Sequence, residues 1–295
     1  MTKLIKSVII IEMNFTNNIL LGTSGYDYPE WKGVFYPQNL KRKDFLSYYA
    51  SQFNALELNN TFYNMPTAER MLSFYDRGEG RLNFSVKANR LLTHEVGADW
   101  ILQAKYFRDA VGPLLEKSAL CTLLFQFPQS FHYTNENRIY LAKVIDEFKG
   151  FPVVVEFRHN EWIKESVLAG LSQRNASIAL CDMPELKYLP KLELSDEKPV
   201  VPEPVEGVEG PLSPTTSIFY LRLHGRNADA WYADSATPNG SSRYTYDYSD
   251  NELKEFVPVI QNVILTGKKP IVFFNNHPNG SGAKNAKRLF ELLKE

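Results

Sequence analysis

The chain has 295 residues, 44% hydrophobic and 23% charged, with a formal net charge of −1. That composition belongs to a globular protein with a sizeable core, built as one large domain or two small ones, and excludes a disordered chain. With no global basic field to draw in nucleic acid or an anionic membrane, any polyanion would have to be met locally.

In chain order, 1–18 reads as a peripheral extension. Lys3 and Lys6 precede Val8-Ile9-Ile10-Ile11, but Glu12 closes the apolar run and no small-residue cleavage signal follows, so a secretory leader is not indicated. Met13 is an alternative start, and no stretch is long enough to span a bilayer. From residue 19 short apolar runs alternate with longer amphipathic ones, the rhythm of βα units. The predicted strands are Ile19–Thr23, Asn54–Asn59, Leu82–Ala88, Leu120–Gln126, Val153–Arg158, Ile178–Cys181, Ile218–His224 and Ile271–Asn275. Between them fall predicted helices over Lys43–Gln52, Thr67–Asp76, Asp99–Glu116, Asn135–Phe148, Trp162–Gln173, Asp250–Leu265 and Ala283–Leu293. Eight strands in this alternation predict an α/β fold, a single-domain TIM (β/α)8 barrel over 19–295. The sixth connection, 183–217, is interrupted by a Pro/Glu/Val/Gly stretch at 199–211 that cannot bury a core, an irregular insertion that is either a lid or a low-complexity loop. Cys121 and Cys181 lie in apolar runs without disulfide or metal spacing, and read as core residues of a protein in a reducing cytoplasm.

Function is sought in strand parity, because residues two apart share a face. In Ala55-Leu56-Glu57-Leu58-Asn59 the leucines claim the helix side, which turns Glu57 and Asn59 into the barrel. The same reasoning turns Lys87 inward, sets Val154, Glu156 and Arg158 on one face, and aligns Tyr220, Arg222 and His224. Gln126 ends the fourth strand, Asp182 follows the sixth, and Asn275-Asn276 follow the eighth. All these polar groups sit at C-terminal strand ends, where barrel enzymes place their active sites. The bland alternative is a structural layer in which Glu57, Lys87, Glu156 and Arg158 neutralise one another.

The segments that carry this pattern resemble the YecE-like family, a domain of unknown function (72) described as related to sugar isomerases. The resemblance rests on Gly22-Thr23-Ser24-Gly25-Tyr26, Trp31 to Pro37, Glu57-Leu58-Asn59-Asn60-Thr61-Phe62-Tyr63, Lys87 with Thr93-His94, Leu124 to Pro128, Glu156-Phe157-Arg158-His159 with Trp162, Arg222-Leu223-His224-Gly225, and Asn275-Asn276 with Asn285-Ala286. It runs from about residue 19 to the C-terminus apart from 183–217, implies a TIM barrel, and carries no catalytic residues across, because the family's activity is not established.

The residues themselves support an enzyme acting on a sugar or phosphosugar by carboxylate acid/base chemistry, of isomerase or hydrolase type. In it Glu57 and Glu156 are the acid/base pair, Lys87, Arg158 and Arg222 stabilise charge, and His224 carries a proton or binds a ligand. Asn59, Gln126, Asp182 and Asn275 would orient the substrate, and Tyr26, Trp231 and Tyr232 would offer flat faces to it. Tyr28, Trp31, Tyr36 and Tyr63 also crowd the expected rim, with Trp31, Phe35 and Tyr36 equally suited to packing. No cofactor is implied. A divalent ion on Glu57, Glu156, Asp182 and His224 is the weaker variant, since Lys87 and Arg222 would repel it. Schiff-base chemistry at Lys87 needs a desolvated amine, and neighbouring carboxylates are expected to raise its pKa instead. The alternative class is a non-catalytic module that binds an anion through donors among Lys87, Arg90, His94, Arg158, His159, Arg222 and His224, with Arg158 and Arg222 able to grip it bidentately, or a nucleic acid, which overall neutrality disfavours. Glu156→Gln and Arg222→Ala are expected to abolish activity while sparing the melting temperature. Among the remaining histidines, His132 reads as a loop residue, His159 as an orienting neighbour, and His277 as a rim residue.

Overall fold

The computed structural model describes residues 18–192, 218–232 and 241–295; the extension before them and the stretch at 199–211 lie outside the described residues. Eight parallel strands close on themselves: β1 Leu20–Ser24, β2 Ala55–Leu58, β3 Asn83–Lys87, β4 Leu120–Gln126, β5 Val153–Glu156, β6 Ala176–Asp182, β7 Phe219–Leu223 and β8 Pro270–Phe274. β1 pairs with both β2 and β8, so no free edge remains. Helices over Phe45–Ala50, Ala68–Arg77, Trp100–Glu116, Asn135–Glu147, Glu165–Gln173, Asp250–Leu265 and Ser281–Leu292 surround the barrel, and a short helix over Asn60–Tyr63, absent from the sequence reading, follows β2. Helix entry is fixed locally. The Thr67 and Thr134 hydroxyls accept from Arg70 and Asn137 backbone N–H groups, and Ser249 with Glu252 forms a reciprocal capping box. The barrel is an α/β TIM barrel. No helix among the described residues is long and apolar enough to cross a membrane.

Alternation divides the core in two. Leu56, Leu58, Val86, Phe125, Val155, Leu221, Leu223 and Val272 pack outward against the helices. Leu20, Ala55, Leu124, Val154, Ala179, Cys181, Tyr220, Ile271 and Phe273 fill the barrel from within. Lateral pairing then builds a polar row above part of that plug: Ser24 sits opposite Glu57, Glu57 opposite Ser85, and Ser85 opposite Thr122. One residue of register slip would carry all four outward, so aliphatic burial on the helix side fixes the polar row inside.

Gly22 on β1 makes a close approach possible. A Cβ there would lie 2.0 Å from the Ala55 carbonyl oxygen and 2.7 Å from the Tyr49 hydroxyl. That hydroxyl stitches β1 to β2, accepting from Thr23 N–H at 2.8 Å and donating to the Ala55 carbonyl at 3.0 Å. Gly22→Ala is expected to destabilise the fold by at least about 1–3 kcal/mol through overpacking against backbone. Gly112→Ala, in a helix where an added Cβ meets nothing within 4 Å, is the control, expected to be neutral or stabilising by about 0.5–1 kcal/mol. Urea denaturation of both variants measures the contrast, and equal effects would refute the close-approach account.

Candidate active site at the barrel mouth

The polar residues of β1, β2, β5 and β7 form an alternating chain of charge. Arg222, 1% exposed, donates from Nε to Glu57 Oε2 at 2.8 Å and from Nη2 to Glu57 Oε1 at 2.6 Å. Its Nη1 donates to Glu156 Oε2 at 2.5 Å, and Arg158 Nε donates to Glu156 Oε1 at 2.5 Å. The order is Glu57, Arg222, Glu156, Arg158, with both carboxylates fully buried. Such burial is tolerable only because every charge has a bidentate or doubled partner.

Glu57 is filled completely. Besides the two Arg222 bonds it accepts from Ser24 Oγ at 2.5 Å and from the Tyr220 hydroxyl at 2.7 Å. Because Tyr220 spends its proton on Glu57, it accepts from Ser85 at 2.8 Å, and Ser85 in turn accepts from Thr122 at 2.7 Å. A carboxylate offers about four lone-pair positions, and all four are taken. The acid/base role expected for Glu57 is therefore corrected: it is an internal counter-ion with no position left for a ligand proton. For Glu156, burial pushes the carboxyl up, but Arg158, Arg222 and His224 outweigh it and hold it well below the usual carboxylate range. It does not stand as a protonated acid.

His224 is fully buried, with Nδ1 2.9 Å from the Asn275 side-chain amide and Nε2 3.6 Å from Glu156 Oε1. Burial, reinforced by Arg158, pulls it down to about 3. A neutral imidazole with that pKa does not carry protons near neutrality, so that expectation is also corrected. Glu156, Cys181 and His224 bring ligand-type atoms within 4.8 Å of one another. Two guanidiniums on Glu156 put positive charge where a cation would sit, and Asp182 lies elsewhere. This donor set does not fit a divalent ion.

Above the chain opens a cavity of about 650 Å³ lined by Asn59, Lys87, Arg158, Arg222 and Asn275, with Tyr28, Phe62, Tyr63, Tyr244 and His277 around them. Arg222 directs all its N–H groups inward, the last toward Ser24 Oγ at 3.3 Å and toward His224 at 3.5 Å. Arg158 keeps spare donors: beyond Glu156 it makes, among the described residues, only long contacts, to Met183 sulfur at 3.6 Å and His224 at 3.4 Å. Its guanidinium lies 5.7 Å from the centre of the Trp231 ring. Lys87 donates to Gln126 Oε1 at 2.8 Å. Burial first, then Arg222, lowers its pKa to about 7, with Arg158 adding to Arg222 against the opposing pull of Glu156 and Glu57. The sequence expectation that carboxylates raise it is reversed, because Arg222 and Arg158 already neutralise both.

Two buried polar atoms on residues of the same cavity wall, Asn59 Oδ1 and His277 Nδ1, have no partner among the described residues. The His277 ring stacks on Tyr28 at 4.7 Å, with its backbone carbonyl accepting from Trp31 Nε1 at 2.8 Å.

Other expected site residues fall apart from this cluster. Asp182 is engaged by the Tyr248 hydroxyl at 2.5 Å and by Arg226 at 3.0 Å, on the face opposite inward Cys181. Tyr26 packs on Tyr49 and Phe74 and lines a neighbouring, larger cavity of about 880 Å³ with Arg42, Arg70 and Arg77. That space is walled mainly by exposed side chains and lacks the buried charges, so volume alone does not mark the site. Trp231 is buried beneath Arg158, and Tyr232 is exposed, accepting from Gln129. Trp31, Phe35 and Tyr36 are buried packing residues. Tyr244 and Phe62 line the mouth without having been singled out; a Tyr-rich run at 244–248 was the only sequence signal for the first.

Arg222→Met leaves two buried carboxylates short of their partner and is expected to cost about 3–5 kcal/mol, so the expectation that substitution here spares the melting temperature is withdrawn. Titration gives a second check. Below pH 6.5 the unfolded chain protonates its histidines while folded His224 resists to about 3, so stability is lost as the pH is lowered across that window. Between about 7 and 10.5 the unfolded chain holds a proton on Lys87 that the folded chain sheds, so stability rises with pH there. Denaturation curves at stepped pH are expected to show the acid slope flattened in His224→Gln and the alkaline slope flattened in Lys87→Met. Unchanged slopes would contradict the assigned environments.

The chain has relatives among known proteins. It is 25% identical over 288 residues to the UPF0759 protein YunF of Bacillus subtilis (strain 168), covering 93% of this chain and 94% of that one. A solved DUF72 family protein from Thermotoga maritima MSB8 is 30% identical with a TM-score of 0.77, over 94% of this chain and 100% of the other. One from Enterococcus faecalis V583, 22% identical over 94% and 96% of the two chains with a TM-score of 0.75, shares the fold. A family model described as "Protein of unknown function DUF72" matches residues 20–295. The chain belongs to the DUF72 family.

Proposed function

We propose that the barrel mouth binds a small hydroxylated anion, of the sugar-phosphate or sugar-acid class, as the substrate of an enzyme. One observation carries this reading. The carboxylates Glu57 and Glu156 are consumed inside the charge chain, leaving the spare donors of Arg158 and Lys87 on the cavity surface. An anion supplies the acceptors they lack. Asn59 Oδ1 and His277 Nδ1, on side chains of the same wall, have no partner among the described residues; a buried polar atom left unpaired costs about 1–3 kcal/mol, which a turn of either side chain toward a ligand would relieve. Tyr28, Tyr63 and Tyr244 offer flat faces around the opening, in the role expected of Tyr26, Trp231 and Tyr232.

The reading calls for no metal and no nucleic acid. The cavity is of small-molecule size, and its cations are few. The free thiols Cys121 and Cys181 suit a reducing cytoplasm. Catalysis by a carboxylate pair is set aside because neither carboxylate is free.

Titration calorimetry with sugar phosphates and their parent sugars tests the proposal. The phosphates are expected to bind at least about tenfold more tightly, and Arg158→Ala to weaken them about 10-fold or more, the worth of one charge-assisted hydrogen bond. Parent sugars binding as tightly as their phosphates, or an unaffected Arg158→Ala variant, would overturn it.

A further inference from the structure

Resting on that anion-binding reading, we propose that Lys87 is a nucleophilic amine that condenses with the carbonyl carbon of an anionic aldehyde or keto compound held by Arg158. The geometry has three parts. Lys87 ends β3 and lines the cavity alongside Arg158. Among the described residues its one side-chain hydrogen-bond partner is a neutral amide oxygen, Gln126 Oε1, rather than a carboxylate. Gln126 cannot turn its nitrogen toward Lys87, because Nε2 donates to the Phe127 carbonyl at 2.8 Å. Beneath the amine lies the Phe62 ring, 4.4 Å from Nζ to the ring centre, and Thr61 Oγ1 pins the Lys87 carbonyl at 2.6 Å. By contrast, surface lysines such as Lys105 and Lys284 hold carboxylates at 3.1 and 2.6 Å.

The charges facing Lys87 are Arg222 and Arg158 on one side and Glu156 and Glu57 on the other, and His94 nearby is neutral, lowered by burial to about 4. The carboxylates are screened by their own guanidiniums, so burial decides the outcome and the amine titrates at about 7. Against an ordinary lysine near 10.4, this raises the neutral fraction at pH 7 about a thousandfold. The neutral Nζ adds to the carbonyl carbon and one of its protons passes to the oxygen, giving a carbinolamine; the C–O bond then breaks as the remaining nitrogen proton joins the departing hydroxyl, which leaves as water, and the nitrogen lone pair closes the imine. No oxidant or reductant is required. Gln126 is a positioning residue: it aims the amine without adding the negative charge that would keep it protonated.

The test incubates the full chain with glyoxylate or glycolaldehyde phosphate and cyanoborohydride, which reduces an imine to a stable secondary amine, and maps adducts by peptide mass spectrometry. The expected result is one adduct at Lys87, at least about tenfold above any surface lysine, with a pH midpoint near 7 and competition by inorganic phosphate. Lys87→Met removes it. Gln126→Glu, by placing a carboxylate at the amine, moves the midpoint upward by about a unit or more, a shift that a merely structural role would not produce. Adducts spread evenly over surface lysines, or none at Lys87 while inorganic phosphate still raises the melting temperature, would sink the imine and leave anion binding standing. No phosphate effect and no adduct would sink both. A Gln126→Glu midpoint that stays at about 7 would remove the role given to Gln126.

Discussion

Everything at the mouth of this barrel depends on where one guanidinium spends its hydrogen bonds. Arg222 is shared between Glu57 and Glu156, and that sharing makes it possible to bury two carboxylates with no solvent access. A lysine there would supply one point of charge and could not satisfy two carboxylates on different strands with fixed directions. The fork also dictates the chemistry above it. Because Glu156 is shared between Arg222 and Arg158, Arg158 meets the opening with only its Nε on a carboxylate, and Lys87 meets it with an amide oxygen as its partner.

The same feature separates the two explanations for polar residues in a barrel core. A structural ion-pair layer accounts for Glu57, which has no unfilled position, and for Arg222, which has no undirected N–H. It does not account for Lys87, whose partner is a neutral amide, or for the buried Asn59 Oδ1 and His277 Nδ1, which have none among the described residues. The layer and the pocket are successive storeys. The lower one is closed and satisfied; the upper one opens to the cavity with donors to spare.

Much of this was legible from alternation alone. Aliphatic neighbours in Ala55-Leu56-Glu57-Leu58 and Phe219-Tyr220-Leu221-Arg222-Leu223 left the charged residues only one face, and the structure brings Glu57, Arg222, Glu156 and Arg158 into contact. Where parity had no polar mark, it misled. β6 reads Ala-Ser-Ile-Ala-Leu-Cys-Asp, and inward Cys181 turns Asp182 toward Tyr248 and Arg226 instead of the cavity. Tyr26 lies past Gly25, whose φ of 85° breaks the strand's alternation. Roles were less legible than positions. Glu57 and Glu156 look like a catalytic pair until the partners of each oxygen are known, and those partners come from strands far apart in sequence. The amine of Lys87 likewise takes its character from burial and from guanidiniums that no local pattern announces.

The hydroxyl relay under the site has a consequence of its own. From Thr122 through Ser85 and Tyr220 to Glu57, each oxygen passes its single hydrogen to the next, so the row has a polarity like a file of arrows. Turning one member would leave two hydrogens facing across one gap and two lone pairs across another, which forbids piecemeal reversal in so tightly packed a space. The barrel floor is thus an insulator: it fixes the electrostatic ground beneath the mouth, and any proton reaching Arg158 or Lys87 must enter and leave by the open end.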